Sequence, residues 1–232
     1  MKNYFIIGGS SGIGQEITKR LALSDCNIYA SFKNNRPENT GLNVHYSQLD
    51  VLQDEQDLDF LPDKLDGLVY CPGSINLKPF RRIKPDDFAD DYKLQLLGAV
   101  RLIQSCFKKL RSGNGASIIM FSSVAVQQGF NFHSQVSASK GAVEGLTRAL
   151  AAEFAPNIRV NCIAPSLTDT PLSAGLLNSD EKKETNARRH PLKRIGSVQD
   201  IASMAEFLLS EQSAWITGQI MHVDGGMSSI KQ

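Results

Sequence analysis

No stretch of this sequence comes near the roughly 18 consecutive apolar residues that a membrane-spanning helix needs, so no membrane association is expected. An excess of one charge is also missing. Lys and Arg number 25 against 24 Asp and Glu, a formal net charge of +1. A near-neutral chain has no electrostatic footprint for nucleic acid or an anionic bilayer, and no nucleic-acid partner is expected. Paired cysteines are absent: Cys26, Cys71, Cys106 and Cys162 stand far apart, with no C-x-x-C and no Cys/His cluster. That argues against a metal site and against a disulfide framework, and such scattered thiols read as small core residues. His45, His133, His190 and His222 also lack ligand spacing. The apolar run Phe5-Ile6-Ile7 is too short for a signal-peptide core, and the expected location is the cytoplasm.

The 232 residues, 41% of them hydrophobic, suit one globular domain over 1–232 with no Pro-, Ser- or Gly-rich linker. Short apolar runs alternate with longer helical patterns. The runs are Tyr4–Ile7, Ile28–Phe32, Val44–Leu49, Leu68–Cys71, Ser117–Phe121, Val160–Ala164 and Ile220–Val223. Between them lie Gly12–Leu23, Phe88–Leu110, Ala138–Phe154 and Asp200–Leu209, with apolar residues three and four apart. Phe88, Tyr92, Leu96, Val100, Ile103, Phe107 and Leu110 mark one amphipathic face. Continuous apolar strands are buried on both sides, and their alternation with helices gives βαβ units. The expected fold is α/β, a Rossmann-type doubly wound parallel sheet of about seven strands with helices on both faces. The polar stretch 167–194, with Pro171 and Pro191 and no clear period, reads as a lid or a disordered loop.

Gly8-Gly9-Ser10-Ser11-Gly12-Ile13-Gly14 lies between the first strand and the first helix. Residues without Cβ atoms let the backbone turn tightly and approach a phosphate. The N–H groups opening the helix then face that anion, aided by the helix dipole. The spacing is G-x-x-x-G-x-G, not the commoner G-x-G-x-x-G.

That spacing resembles the short-chain dehydrogenase/reductase superfamily, and the likeness extends along nearly the whole chain. Leu49-Asp50-Val51 is similar to the family's adenine contact. Ile118–Ser123 is similar to the strand bearing its catalytic serine, and Ser137-Ala138-Ser139-Lys140-Gly141-Ala142 to its catalytic helix. Arg159–Pro165 resembles its sixth strand and the loop over the nicotinamide. Pro191–Gly196 with Asp200-Ile201-Ala202, Ile216–Gln219 and Val223–Gly226 resemble its C-terminal blocks. The closest flavour is that of 3-oxoacyl-(acyl carrier protein) reductases. The resemblance implies a nicotinamide cofactor held by Gly8, Ser10, Ser11, Gly12, Ile13, Gly14, Asp50, Val51, Gly73, Lys140, Pro165 and Thr170. At the end of the second strand, where NAD-preferring relatives carry an acid, the sequence runs Ser31-Phe32-Lys33. A cation there suits a 2′-phosphate, so NADP(H) is favoured over NAD(H).

The family's Ser, Tyr, Lys and Asn act together. The Tyr gives a proton to the carbonyl oxygen, the Lys lowers the Tyr pKa, and the Ser polarises the carbonyl. Ser123 and Lys140 match, Gln95 falls at the Asn position, and Val136 stands where the Tyr belongs, four residues before Lys140. Valine has no proton to give, and losing a general acid costs about 10²–10⁴ in rate. Three readings stay open: another donor (His133, Ser134, Ser137, or a water held by Ser123 and Lys140), a reaction that takes its proton from solvent, or an NADP(H)-binding protein without turnover, as a sensor or partner subunit. Tyr70 and Tyr92 read as core or helix-face residues, and Ser137 also as a helix N-cap.

The same resemblance makes 167–194 the substrate lid. Leu172, Leu176 and Leu177 would line an apolar acyl pocket. Lys182, Lys183, Arg188, Arg189, His190, Lys193 and Arg194 would meet an acidic carrier protein or a coenzyme A phosphate. The expected substrate is a small carbonyl compound or acyl thioester. A homotetramer or homodimer, built on the two long helices and the region of Trp215, is implied by the family.

Overall fold

The computed structural model describes residues 1–38, 41–113 and 115–231. Seven parallel strands form one sheet: β1 (Lys2–Ile7), β2 (Cys26–Phe32), β3 (Val44–Gln48), β4 (Gly67–Tyr70), β5 (Ala116–Phe121), β6 (Ile158–Pro165) and β7 (Ile220–Val223). Their spatial order is β3-β2-β1-β4-β5-β6-β7. The chain therefore winds outward from β1 to β3, returns to the other side of β1, and winds outward again. The reversal between β1 and β4 opens a crevice at the carboxyl ends of the strands, where such sheets bind ligands.

Each central strand divides its side chains between two cores, because successive residues point to opposite faces. Phe5, Ile7, Leu68, Tyr70, Ile118, Met120, Val160 and Cys162 enter one core. Helices α3 (Gly98–Arg111) and α4 (Ser134–Phe154) cover it with Leu102, Ile103, Leu110 and Val143. Tyr4, Ile6, Val69, Ile119, Phe121 and Ile163 enter the other, under α1 (Gly12–Leu21) and α6 (Val198–Leu209).

The helix expected over Phe88–Leu110 is longer and interrupted. It starts as α2 (Pro85–Tyr92), widens into a π turn at Lys93–Leu97 and continues as α3. The wide turn breaks the apolar stripe. Tyr92 is turned outward and 41% exposed, whereas Gln95 is buried. Helix α4 begins at Ser134, before the first periodic apolar residue, so Ser137 is not its N-cap. The Ser137 hydroxyl donates instead to the Ala125 carbonyl at 2.8 Å. The lid is ordered. It holds a 3₁₀ turn at Pro171–Leu176, capped by Thr170, and helix α5 (Asp180–Arg188), capped by Ser179. No residue of α5 is buried, so no apolar period announces it. Among the described residues, no helix is long and apolar enough to cross a membrane.

Gly98 shows how tightly the π turn is fitted. The Tyr70 hydroxyl donates to the Leu94 carbonyl inside that turn, and a Cβ on Gly98 would collide with the same hydroxyl. Replacing a helical Gly by Ala ordinarily stabilises by about 1 kcal/mol. Gly98→Ala is expected to reverse that sign and cost about 1–3 kcal/mol through overpacking, read as a lower urea midpoint at unchanged slope. A stabilised variant would show that Tyr70 can move away.

Candidate active site

One cavity of about 870 Å³ runs along the carboxyl ends of the strands, from the glycine loop to the lid. Gly8 and Gly12 sit at φ +74° and +52°, in the region that glycine alone enters freely. A Cβ on Gly14 would strike the Gly8 carbonyl oxygen, so the loop and the first turn of α1 are in direct contact. The Gly8 N–H donates to Ser31 Oγ at 2.9 Å, and the Tyr46 hydroxyl donates to the Gly9 carbonyl at 2.9 Å. These bonds pin the loop to β2 and β3. The Ser11 side chain makes no cap bond to α1, which leaves the N–H groups of the first turn open to an anion. Lys33 lies 3.0 Å from Asp50 at the β2–β3 end of the cleft. The Leu52 N–H and Lys33 together hold the Asp50 carboxyl below its usual range.

At the other end, α4 points Lys140 under the cavity floor. Its Nζ donates to the Phe121 carbonyl at 2.9 Å, and the side chain is nearly buried. Burial pushes the ammonium down to about 8, against the smaller opposing pull of Cys162, Asp91 and Cys71. Burial pushes the Cys71 and Cys162 thiols up to about 12, so neither is a nucleophile near neutral pH. Tyr70 is also raised by burial and its hydroxyl is committed to Leu94. Gln95 gives its amide N–H groups to both oxygens of the buried Asp91, at 2.8 and 2.9 Å. Ser74 donates to the same carboxylate. The Gln95 Oε1 is buried without a partner. It and Lys140 Nζ flank Gly73, within 3.5 and 3.7 Å of where a Cβ would stand.

Ser123 accepts from the Ala125 N–H at 3.2 Å, so its own proton stays free to donate. Val136 lines the cavity one helical turn before Lys140. Every residue that the resemblance assigns to the cofactor, together with Ser123, Lys140, Gln95 and Val136, borders this one cavity. Of the stand-in donors, His133 borders it, whereas Ser134 and Ser137 do not. Leu172 and Leu176 line it, but Leu177 is packed inside the protein. The basic run of the lid is divided: Arg188 pairs with Glu184 and Arg194 with Asp200. Lys182 and Arg189 face the cavity, the latter with its guanidinium 5.5 Å over the Phe130 ring.

The model of the enoyl-(acyl carrier protein) reductase family matches residues 8–228. A tropinone reductase homolog of Arabidopsis thaliana is 31% identical, over 98% of this chain and 92% of its own length. The 3-oxoacyl-(acyl carrier protein) reductase FabG of Aquifex aeolicus is 29% identical, over 96% and 95%. Among solved structures, ElxO with NADP bound superposes with a TM-score of 0.91 at 26% identity, over 99% of both chains. The ligand-free aldohexose dehydrogenase of Thermoplasma acidophilum gives 0.90 at 25%, over 100% of this chain and 96% of that one. The chain belongs to the short-chain dehydrogenase/reductase family. Membership makes it one of a family of oxidoreductases. The relatives' names span three substrate types, so the substrate has to be argued from the cavity.

Two features of this short-chain dehydrogenase/reductase escaped the sequence: the Asp91–Gln95–Ser74 network, and a contact between Ser166 and His190, at 2.8 Å. Residues so distant in the chain carry no shared spacing signal.

The buried lysine has a measurable consequence. Between about 8 and the ordinary lysine value of 10.5, the folded state binds fewer protons than the unfolded one. Stability therefore rises with pH across that window through this group. Lys140→Met is expected to be more stable than the parent at pH 7. The gap should close by up to about 3 kcal/mol as pH rises from 8 to 10.5, followed by denaturant unfolding at each pH. A gap that is constant with pH would remove the buried-charge account.

Proposed function

We propose that this protein is an NADP(H)-dependent oxidoreductase that interconverts a carbonyl and an alcohol, with a 3-oxoacyl thioester-like compound as substrate and an atypical proton donor. The observation that carries the reading is the continuity of one cavity from the glycine cradle to Ser123 and Lys140. The residues present fit a dinucleotide. The left-handed glycines leave room that a side chain would fill, and the exposed end of Lys33 can leave Asp50 for a 2′-phosphate.

The bound cofactor supplies or accepts a hydride. Gly12, Ile13 and Gly14 would hold the pyrophosphate with their N–H groups, while Asp50, Val51 and Gly73 would line the rest of the cofactor's path. Pro165 and Thr170 wall the nicotinamide end, and Lys140 binds its ribose with the N–H groups not given to Phe121. Ser123 donates to the substrate oxygen. Gln95 holds its unpaired oxygen toward the Lys140 side of the cleft, where the family places an Asn. Val136 fills the place of the family's tyrosine without a proton, so the proton comes from another group. The lid, residues 167–194, covers the substrate. Leu172 and Leu176 suit an apolar acyl chain, and Lys182 with Arg189 suit an acidic carrier protein or a coenzyme A phosphate. Trp215, fully exposed, and Leu192, 66% exposed, favour assembly as a homotetramer or homodimer. We place the protein in the cytoplasm.

A second reading rests on Val136 itself: the protein binds NADP(H) without turnover, as a sensor or partner subunit. A tyrosine-to-phenylalanine variant of ElxO, a structural neighbour, carries bound NADPH, so cofactor binding does not require that phenol in that protein.

NADPH oxidation with a short 3-oxoacyl thioester, run on this protein and on Val136→Tyr, separates the readings. Turnover by the parent is expected. A silent parent beside an active tyrosine variant would favour the binding protein, and silence from both would remove the carbonyl-reductase reading. Lys33→Ala is expected to weaken NADPH binding about 10-fold, about 1.4 kcal/mol, with NADH binding unchanged. Equal losses for the two cofactors by fluorescence titration would reject the 2′-phosphate role.

A further inference from the structure

Ser166 and His190 stand together in the wall of the reaction cavity. Ser166 directly follows β6. The Val124 N–H donates to the Pro165 carbonyl at 3.1 Å, so the ends of β5 and β6 are tied together and Ser166 lies beside the Ser123 segment. His190 comes from the end of the lid and is only 2% exposed. Its Nδ1 is 2.9 Å from the Asn186 carbonyl. A carbonyl only accepts, so Nδ1 keeps its hydrogen and Nε2 is the nitrogen that titrates. Nε2 is 2.8 Å from Ser166 Oγ.

The direction of that last bond depends on charge. In the neutral ring, Ser166 donates to Nε2. In the imidazolium, Nε2–H donates to Oγ and the hydroxyl hydrogen is released. Its other partner is Met227 Sδ at 3.3 Å, a weak acceptor, so an oxygen in the cavity competes well for it. His190 and Ser166 also border a second cavity of about 310 Å³, lined by Arg194, Asp200, His222 and Asp224. The imidazole thus sits in a partition with the reaction cavity on one side and a charged cleft on the other.

We propose that Ser166 and His190 form the proton relay that replaces the phenol missing at Val136, with Ser166 as the catalytic donor and His190 as the positioning residue behind it. The relay rests on the carbonyl-reductase reading. In reduction, hydride from NADPH adds to the carbonyl carbon and the π pair moves to oxygen. That oxygen takes the Ser166 Oγ proton as Oγ takes the proton from Nε2, leaving an alcohol, NADP⁺ and neutral His190. Nε2 regains a proton from solution by way of the second cleft, so each reduction consumes one H⁺ from solvent, and oxidation runs the same steps backward and releases it. The titratable and charged groups around His190 are Arg189 and Lys193 beside it in the chain, Lys182 on the cavity side, and the Arg194–Asp200 pair, His222 and Asp224 on the cleft side.

The test combines NMR of the labelled imidazole with pH–rate profiles of the parent, Ser166→Ala, His190→Gln and Val136→Tyr, and with NADPH titrations. The expected tautomer of neutral His190 is Nδ1–H. The parent's kcat should fall as pH rises through the midpoint of His190's own NMR titration. Ser166→Ala should lose about 10²–10³ in kcat, with NADPH affinity held within about threefold, and His190→Gln should lose the pH dependence. An Nε2–H tautomer, or a parent-like rate and profile in Ser166→Ala, would overturn the relay while leaving the reductase reading intact. A silent parent with an active Val136→Tyr also overturns the relay and shows the pocket competent, whereas silence from both takes down the reductase reading and the relay with it.

Discussion

A lysine ammonium kept under the floor of a cavity is the group on which the rest of the site depends. Taking a charge out of water is costly unless partners meet it. Lys140 has the Phe121 carbonyl at 2.9 Å and the field of the buried Asp91. Asp91 in turn needs donors, and Gln95 and Ser74 supply them. Asp91 and Gln95 reach inward together because the π turn at Lys93–Leu97 re-aims the helix. That turn is held by Tyr70 and admits no side chain at Gly98. The buried cation, the carboxylate, the wide turn and the glycine form one chain of dependence from β4 to α4.

The middle of the sheet was legible in the sequence because β4, β5 and most of β1 and β6 are buried on both faces, so each reads as an apolar run, whereas β3 and β7 at the edges are only half-buried. The glycine loop was legible because position between a strand and a helix gives it meaning. Legibility failed where structure is specified without apolar periodicity. Helix α5 is set by Ser179 at its N-cap and buries nothing. The first turn of α4 is mostly polar, so the apolar period begins later and makes Ser137 look like a cap. Tyr92 was read into the buried stripe because a π turn has no signature in residue spacing. The family resemblance named the positions bordering the cavity. It named neither Asp91 nor the pairing of Ser166, at the family's Gly position, with His190 of the basic run, because these partners meet only through the fold.

Val136 changes the electrostatics of the site as well as its proton inventory. A phenol near Lys140 would have its pKa lowered by the ammonium, and that favourable coupling would offset part of the lysine's burial. With valine there, the ammonium keeps its desolvation cost and loses that neighbour. A lysine retained on those terms has work that does not require the phenol: the balance with Asp91 and, in the proposed function, the contact with the cofactor ribose. The cofactor half and the proton-transfer half of the site are thus physically separable.

The lid joins what the strand ends separate. Helix α5 carries Asn186, whose carbonyl fixes the His190 tautomer, and Arg189, stacked on Phe130 from the segment after β5, follows its last residue. Covering the cavity and setting the imidazole are therefore done by one short segment. Any displacement that breaks the Arg189–Phe130 contact by moving α5 also moves the Asn186 carbonyl, and with it the reason for Nε2 to face Ser166. Under the proposed relay, with His190 at the end of that segment and Ser166 in front of it, enclosure of the substrate and readiness of the proton would be a single geometric condition. A tyrosine on α4 would have left them independent.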